Sequence, residues 1–448
     1  MWSVDFNYKG RLFRATLLLF IIVGMAPVFP AFSASQGQVN ALTLKQAVEL
    51  ALDANLDLMK AREDISAAQS LKMIRRSTLL PTVNTTYEYQ RDDEPRSIGG
   101  IAEASRDTYT FSATVTQPLF QGYELINEYR IAELGVDLAE LNRILTRLNV
   151  IFDTKNAYFT VLKNQKLVLV AEDNLKNLKA QEEVAKNFYE VGMTPLNDLL
   201  QVQVRVANAN QSLIVAQNNL QIAESQFNVV LRRPVNSAVQ IMDYLTYTPL
   251  ENDIDYYLDQ ADQNRVDFKI ADLEIEIAQK ELDVAKKDYY PTVTLSGTYF
   301  RVGEEADVDG GEGIFDDKGW SIAATASWDI WQWGRPTYGK KEKLSRLAQA
   351  RYNKQAVQDG VQLEVKEAYL KVIESEKNIA AVEKALEQAN ENLRINEERY
   401  KEQVATSTDV LDAQTLLTVT RTNYVNALYD FKIARAALQR AISLEVLE

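Results

Sequence analysis

The chain has 448 residues, 46% hydrophobic and 25% charged, which excludes a disordered polymer and allows a substantial core. It contains no cysteine and no histidine, so disulfide bracing, an N-terminal lipidated cysteine, imidazole metal ligation and histidine acid–base chemistry are all excluded. Its net charge of −14 disfavours nucleic-acid binding and suits cations or basic partners.

Residues 1–34 read as a signal peptide. Lys9, Arg11 and Arg14 precede an apolar run from Ala15 to Met25, followed by Pro27, Pro30 and the small residues Ala31, Ser33, Ala34 and Ser35. Cleavage is expected between Ser33 and Gln36. The run falls short of the roughly 20 residues that a spanning helix needs, and no other apolar run is longer. Membrane attachment therefore has to come from the fold.

The remainder repeats itself with a period of about 210 residues, too long for a solenoid. Pro81-Thr82-Val83 returns as Pro291-Thr292-Val293, Ala157-Tyr158 as Ala368-Tyr369, and Asn197 to Gln203 as Thr408 to Gln414. The repeats are read as 35–240 and 241–448, each a helix, a hairpin (82–117 or 292–330), a long helix and a helix. In chain order the helices are expected at 43–78, 127–190 and 196–231, then at about 250–288, 337–401 and 407–443. At about 1.5 Å per residue, 127–190 spans about 96 Å and 43–78 or 196–231 about 54 Å. Two short helices end to end thus match one long one, giving a wall about 100 Å tall. The segment 244–255, with Pro249, connects the halves and is expected to form a small irregular band midway.

The helices carry coiled-coil spacing. Leu199, Val202, Val206, Ala209, Leu213, Ala216 and Leu220 alternate at three and four positions, and Val410, Ala413, Leu417, Thr420, Tyr424, Ala427 and Phe431 repeat the stripe. The Ala, Ser and Thr on these seams bury little area each, which predicts lateral packing around a hollow rather than one solid core.

Between the helices the period changes to two. Val83, Thr85, Tyr87 and Tyr89 alternate with Thr82, Asn84, Thr86 and Glu88; Tyr109, Phe111, Ala113 and Val115 alternate with Thr110, Ser112, Thr114 and Thr116. The second half repeats the device at Val293 to Tyr299 and Ile322 to Trp328. Runs of about ten residues, apolar outside and hydroxyl-lined inside, suit outer-membrane strands. Trp320, Trp328, Trp331, Trp333, Phe120 and Tyr123 near the strand ends suit an interfacial belt. The acidic, glycine-rich loop 302–319 reads as a solvated extracellular loop; binding of Ca²⁺ or lipid head groups is the lesser reading, since its spacing matches no EF-hand.

Four strands leave open edges that hydrocarbon does not tolerate. Two copies would close eight strands around a filled interior, whereas three would close twelve around a lumen. The fold class expected is therefore mostly α with a membrane β-barrel, duplicated internally and assembled as a homotrimer. A soluble sandwich, and an exported coiled-coil adhesin or helical pore-forming protein, are the alternatives. No nucleophile with a base, no phosphate loop and no metal constellation is present, so neither enzymatic activity nor a cofactor is expected.

Taken together these features resemble the TolC family of outer-membrane efflux and secretion channels. The carriers are Leu42 to Asn55 at the mature start, Gln117-Pro118-Leu119-Phe120-Gln121-Gly122 after the second strand, Tyr189-Glu190-Val191-Gly192 with Asp198 at the first helical turn, and Asp409-Val410-Leu411-Asp412-Ala413 at the second. The resemblance implies a trimer with a twelve-stranded barrel in outer-membrane lipid of a Gram-negative bacterium and a periplasmic helical tunnel. It also implies a periplasmic adaptor and an energised inner-membrane transporter as partners, with drug efflux and type I protein secretion both open as cargo classes.

The gate is expected where the long helices turn. In the resembling family a Tyr and an Arg close the tip onto Asp and Thr; Tyr400 and Asp198 match, Asn197 stands for the Thr, Ala405 replaces the Arg and Gln403 replaces a turn glycine. Asp198 and Asp409 lie in first helical turns, where a carboxylate is favoured in any case. Asp412 has Gln201 as its repeat partner, so the fold does not require acid there; three copies of Asp409 and Asp412 would make stacked acidic rings suited to cations. The turn surface of Val191, Gly192, Met193, Thr194 and Pro195 with Val404, Ala405, Thr406 and Ser407 is the expected adaptor-docking site, with Thr194 or Ser407 as helix N-cap and Pro195 at the first helical position.

Overall fold

The computed structural model describes residues 41–94, 97–98, 101–102, 106–243, 249–311 and 317–446. The leader reading of 1–34, residues 244–248 of the connection, and Glu312 and Asp316 of the acidic loop lie outside them.

The first half holds helices α1 (Leu44–Ala54) and α2 (Leu56–Ser77), strand β1 (Thr82–Arg91), a two-residue ribbon of β2 (Ser97–Ile98) and β3 (Ile101–Ala102), strand β4 (Asp107–Gln121), and helices α3 (Glu124–Glu190) and α4 (Leu196–Val230). The second holds α5 (Ile254–Asn264), α6 (Val266–Val284), a 3₁₀ turn (Lys287–Tyr289), β5 (Thr292–Gly303), β6 (Lys318–Ser327), α7 (Arg335–Lys401) and α8 (Ser407–Ala441). Both long helices have 67 residues, about 100 Å at 1.5 Å per residue.

One expectation is corrected in both halves. The helix expected over 43–78 is broken at Asn55, and its counterpart over 250–288 at Arg265; each residue is extended, with ψ of 128° and 122°. At Asn55 the side chain caps the new helix, accepting from the amides of Asp57 at 2.8 Å and Leu58 at 3.1 Å. Arg265 cannot cap in that way. It is buried, pairs with Asp267 and Glu364 at 2.8 Å each, and donates to the Ala441 carbonyl.

The four long strands form one antiparallel sheet in the order β1-β4-β5-β6. Its register sorts the side chains as the period of two requires. Val83, Tyr87 and Tyr89 share a face with Val115, Phe111 and Tyr109, and then with Gly297, Arg301 and Gly303; Tyr299 and Gly297 pair onward with Trp320 and Ile322. The opposite face carries Thr86, Ser112, Thr114, Thr298 and Ser321, with Thr114 and Thr298 hydroxyls 3.1 Å apart. Pairing of β4 with β5 slips between Pro118 and Phe120, where proline removes a ladder donor. Union of the two hairpins in one sheet is what the barrel reading requires and the adhesin alternative does not. Among the described residues no helix is long and apolar enough to cross a membrane.

Aromatic side chains gather at both ends of the strands. Phe120, Tyr123 and Tyr290 stack edge to face where the strands meet the helices, and Trp331 and Trp333 pair beside them. Trp320 marks the other end. Midway along the helices Tyr158, fully buried, faces the carbonyls of Leu42 at 3.0 Å and Met242 at 2.6 Å, fastening the start of the first repeat to its end.

Backbone strain repeats with the fold. Left-handed Gly122 and Tyr123 are matched 211 positions on by Trp333 and Gly334, Gly192 by Gln403, and Arg232 by Ser443. These are the strand-to-helix entries, the hairpin turns and the helix ends. A side chain at Gly122 would lie 2.6 Å from the Lys287 carbonyl oxygen. Gly122→Ala is therefore expected to destabilise the protein by about 3 kcal/mol through overlap and left-handed strain, whereas Gly135→Ala, inside α3 with open space around it, raises stability by up to about 1 kcal/mol. Thermal unfolding followed by circular dichroism separates the two.

Candidate functional site

The turns joining α3 to α4 and α7 to α8 are built alike and finished differently. In the first, Val191, Gly192 and Met193 donate to the carbonyls of Asn187, Tyr189 and Phe188 as the helix ends, with Gly192 left-handed at φ +78°. In the second, Gln403 and Val404 donate to Tyr400 and Arg399, and Gln403 adopts φ +60° despite its side chain. The expected caps are each corrected by one residue. Thr406, not Ser407, caps α8, and Pro195 occupies the cap position of α4 rather than its first turn. The reason is local hydrogen bonding: Thr406 Oγ1 accepts from the Asp409 amide at 3.2 Å while the Asp409 carboxylate accepts from the Thr406 amide and hydroxyl at 2.8 Å each.

That difference divides the roles of the twin aspartates. Asp409 is committed to its capping box; the Thr406 amide and hydroxyl, with help from Arg399, hold its carboxyl below the usual range. Asp198 stands at the same third position of α4, but Pro195 has neither an amide hydrogen nor a side-chain acceptor to complete a box. Among the described residues its carboxylate makes no hydrogen bond or ion pair. It is close enough to Tyr400 to help burial raise that phenol, while Ser407 pulls the other way. Tyr400 is buried against Phe188, ring centres 5.6 Å apart, and its hydroxyl has no partner of good geometry. The structure thus brings Asp198, Tyr400 and Ser407 together. Asn197 is exposed on the first turn of α4, outside this group.

Asp412 is not a bare acid. Its carboxylate lies 3.5 Å from Arg205 on α4, a neighbour that spacing alone did not reveal. The signal was present in the repeat: Arg205 falls 211 positions before Leu416, so it too departs from its counterpart. Of the docking residues, Val191, Met193 and Val404 are strongly exposed apolar groups at the end of the helices. Ser407 does not belong with them, because it is buried beneath Tyr400.

Residues 47–231 and 257–443 match the family described as outer membrane efflux protein. The chain is 21% identical over 439 residues to outer membrane protein TolC of Escherichia coli, covering 95% of this chain and 86% of that one. It is 22% identical over 410 residues to nodulation protein T of Rhizobium leguminosarum bv. trifolii, covering 89% and 85%. The fold is similar to the Campylobacter jejuni CmeC outer membrane channel, with TM-score 0.79, 18% identity and coverage of 89% and 85%. It is also similar to VceC of Vibrio cholerae, with TM-score 0.77, 18% identity and coverage of 89% and 96%.

Two outcomes test the turn chemistry. A depressed carboxyl stabilises the fold above the ordinary Asp range and ceases to do so as pH falls through its folded value. Protection of the Ser407 to Val410 amides against exchange, relative to the intrinsic rate at each pH, should therefore fall below about pH 4, and Asp409→Ala should abolish that fall. Gln403→Gly should raise stability by about 1 kcal/mol by relieving the left-handed side chain, read as a shift in the thermal midpoint.

Proposed function

The chain belongs to the outer membrane efflux protein family, and from that premise we propose that three copies form a passive exit duct spanning the outer membrane and reaching through the periplasm. It is an outer-membrane channel of the kind used in tripartite efflux. The observation that carries the trimeric reading is the sheet: four strands, apolar on one face and hydroxyl-lined on the other, with β1 and β6 unpaired at its edges. Three sheets joined edge to edge give twelve strands and a lumen.

The helices extend that symmetry below the membrane. α7 lies at one side of the chain's helical layer and α2 with α4 at the other, and all three present large apolar side chains to solvent. Met73 and Ile74 on α2, Val204 and Ile214 on α4, and Tyr352 and Leu363 on α7 are each more than two-fifths exposed in one chain. A second copy and a third cover these margins. A periplasmic adaptor docks on Val191, Gly192, Met193, Thr194, Pro195, Val404, Ala405 and Thr406, and an energised inner-membrane transporter supplies the cargo. The chain itself performs no chemistry; it opens and closes. Tyr400 with Asp198 forms part of the gate, and Asn197, Asp409 and Asp412 line its approach.

Purified mature protein should run at three times its chain mass in detergent after subtraction of the micelle. In planar bilayers it should form cation-selective pores that are blocked by divalent cations added from the tip side. Asp409→Ala combined with Asp412→Ala should weaken that block. A folded monomer without conductance would contradict the proposal, and unchanged block in the double variant would remove the acidic pair from it.

A further inference from the structure

Midway along the helices the two repeats part company. In the first, the chain beyond α4 runs back beside the residues that enter α1. Leu42 bridges Ile241 in parallel, its amide donating to the Gln240 carbonyl at 2.8 Å and its carbonyl accepting from the Met242 amide at 3.0 Å. Side chains alternate along this segment as in a strand. Val239 is buried and Ile241 packs on the cluster of Phe227 and Leu231, while Gln240 and Met242 are exposed. Asp243 follows and pairs with Lys166 at 2.7 Å.

The second repeat has the same walls. Thr43 and Asp253, 210 positions apart, cap α1 and α5, and Arg232 and Ser443, 211 apart, are both left-handed just beyond α4 and α8. In that registration Leu42 corresponds to Asn252, Phe227 to Leu438, Leu231 to Ile442 and Lys166 to Lys377. Here the walls enclose a cavity of about 330 Å³, with Leu250, Asn252 and Tyr257 on one side and Leu438, Ile442 and Leu444 on the other. Among the described residues the Asn252 amide and carbonyl have no backbone partner and Lys377 has no ion pair. Arg435 lines the cavity where the first repeat has Glu224, a change from acid to base. The first repeat therefore carries its own template for what the second repeat's cavity accepts.

We propose that this cavity is a docking site for an extended segment of another exported polypeptide, which lies beside Asn252 as Gln240 to Met242 lie beside Leu42. The Asn252 backbone offers one donor and one acceptor to a parallel partner, and the apolar walls take side chains two residues apart. Lys377 takes a carboxylate at the end of the segment, as Lys166 takes Asp243. The occupant is thus a short run of alternating aliphatic and polar residues that ends in Asp or Glu. The assignment comes from the duplication within one chain and stands whether or not the assembly conducts.

A labelled peptide with the sequence of residues 238–243, Ala-Val-Gln-Ile-Met-Asp, is the probe, titrated by fluorescence anisotropy against the purified full-length mature protein. It should bind saturably at one site per chain, and a peptide of the same composition in scrambled order should not. Ile442→Trp fills the cavity and should abolish binding; Leu444→Trp, on a more exposed part of the wall, serves the same comparison if Ile442→Trp misfolds. Asn252→Pro removes the amide donor and Lys377→Glu reverses the terminal charge, and each should weaken binding about fivefold with the circular dichroism unchanged. In a chain without native cysteine, Leu250→Cys supplies a single thiol that should react with a small maleimide and be protected by the peptide. Three results would overturn the proposal: no binding at millimolar peptide, binding unaffected by the tryptophan variants, or a thiol already shielded without peptide because the chain's own end or a neighbouring copy fills the cavity.

Discussion

Each backbone amide and carbonyl on the outer edges of β1 and β6 needs a hydrogen-bond partner, and hydrocarbon contains no water to supply one. Much else in the chain answers that requirement. The sheet's two faces are already differentiated, so an identical sheet can extend it without burying hydroxyls in lipid or apolar side chains in the lumen. Each strand pair feeds directly into a 67-residue helix through two consecutive left-handed residues, which sets how the helical layer leaves the barrel. A barrel closed by three chains, as proposed, would impose its symmetry on the tunnel beneath.

The tunnel wall keeps even height because the broken helices and the long ones are commensurate. α2 and α4 stack beside α3, and α6 and α8 beside α7, with the extended residues Asn55 and Arg265 separating α1 from α2 and α5 from α6 while α1 packs on α3 and α5 on α7. Tyr158, Leu42 and Met242 fasten this level. Below it the chain is two coiled hairpins with apolar interiors and a polar boundary. Apolar burial fills each hairpin, while side-chain hydrogen bonds and an ion pair cross between them beside the apolar contacts of Leu411 and Phe188.

Much of this was legible in the sequence, for physical reasons that differ by element. The strands were readable because a period of two leaves no freedom once one face is apolar, and the observed register sorts Tyr87, Phe111 and Tyr299 as their spacing required. The long helices were readable because the duplication reported each twice. The break at Asn55 was not, since asparagine in a helical pattern interrupts it only when its side chain finds the amides ahead. The cap at Thr406 was missed by one residue because Thr406 and Ser407 are both good caps; Asp409, three residues beyond Thr406, decided between them. The Arg205–Asp412 and Asn174–Gln414 links join residues more than 200 positions apart, and local period says nothing about them. Their trace in the sequence was indirect, as positions where one repeat departs from the other.

Closure by three copies is the claim from which the lumen, the tunnel and the gate all follow, and the absence of native cysteine makes it directly measurable. One cysteine placed on the outer edge of β1 and one on that of β6, scanned along the strands and oxidised in the membrane, should at the correct register link neighbouring copies. The account predicts a ladder on a non-reducing gel that ends at three chains and collapses to one on reduction. A ladder ending at two chains, running past three, or absent at every register would contradict it.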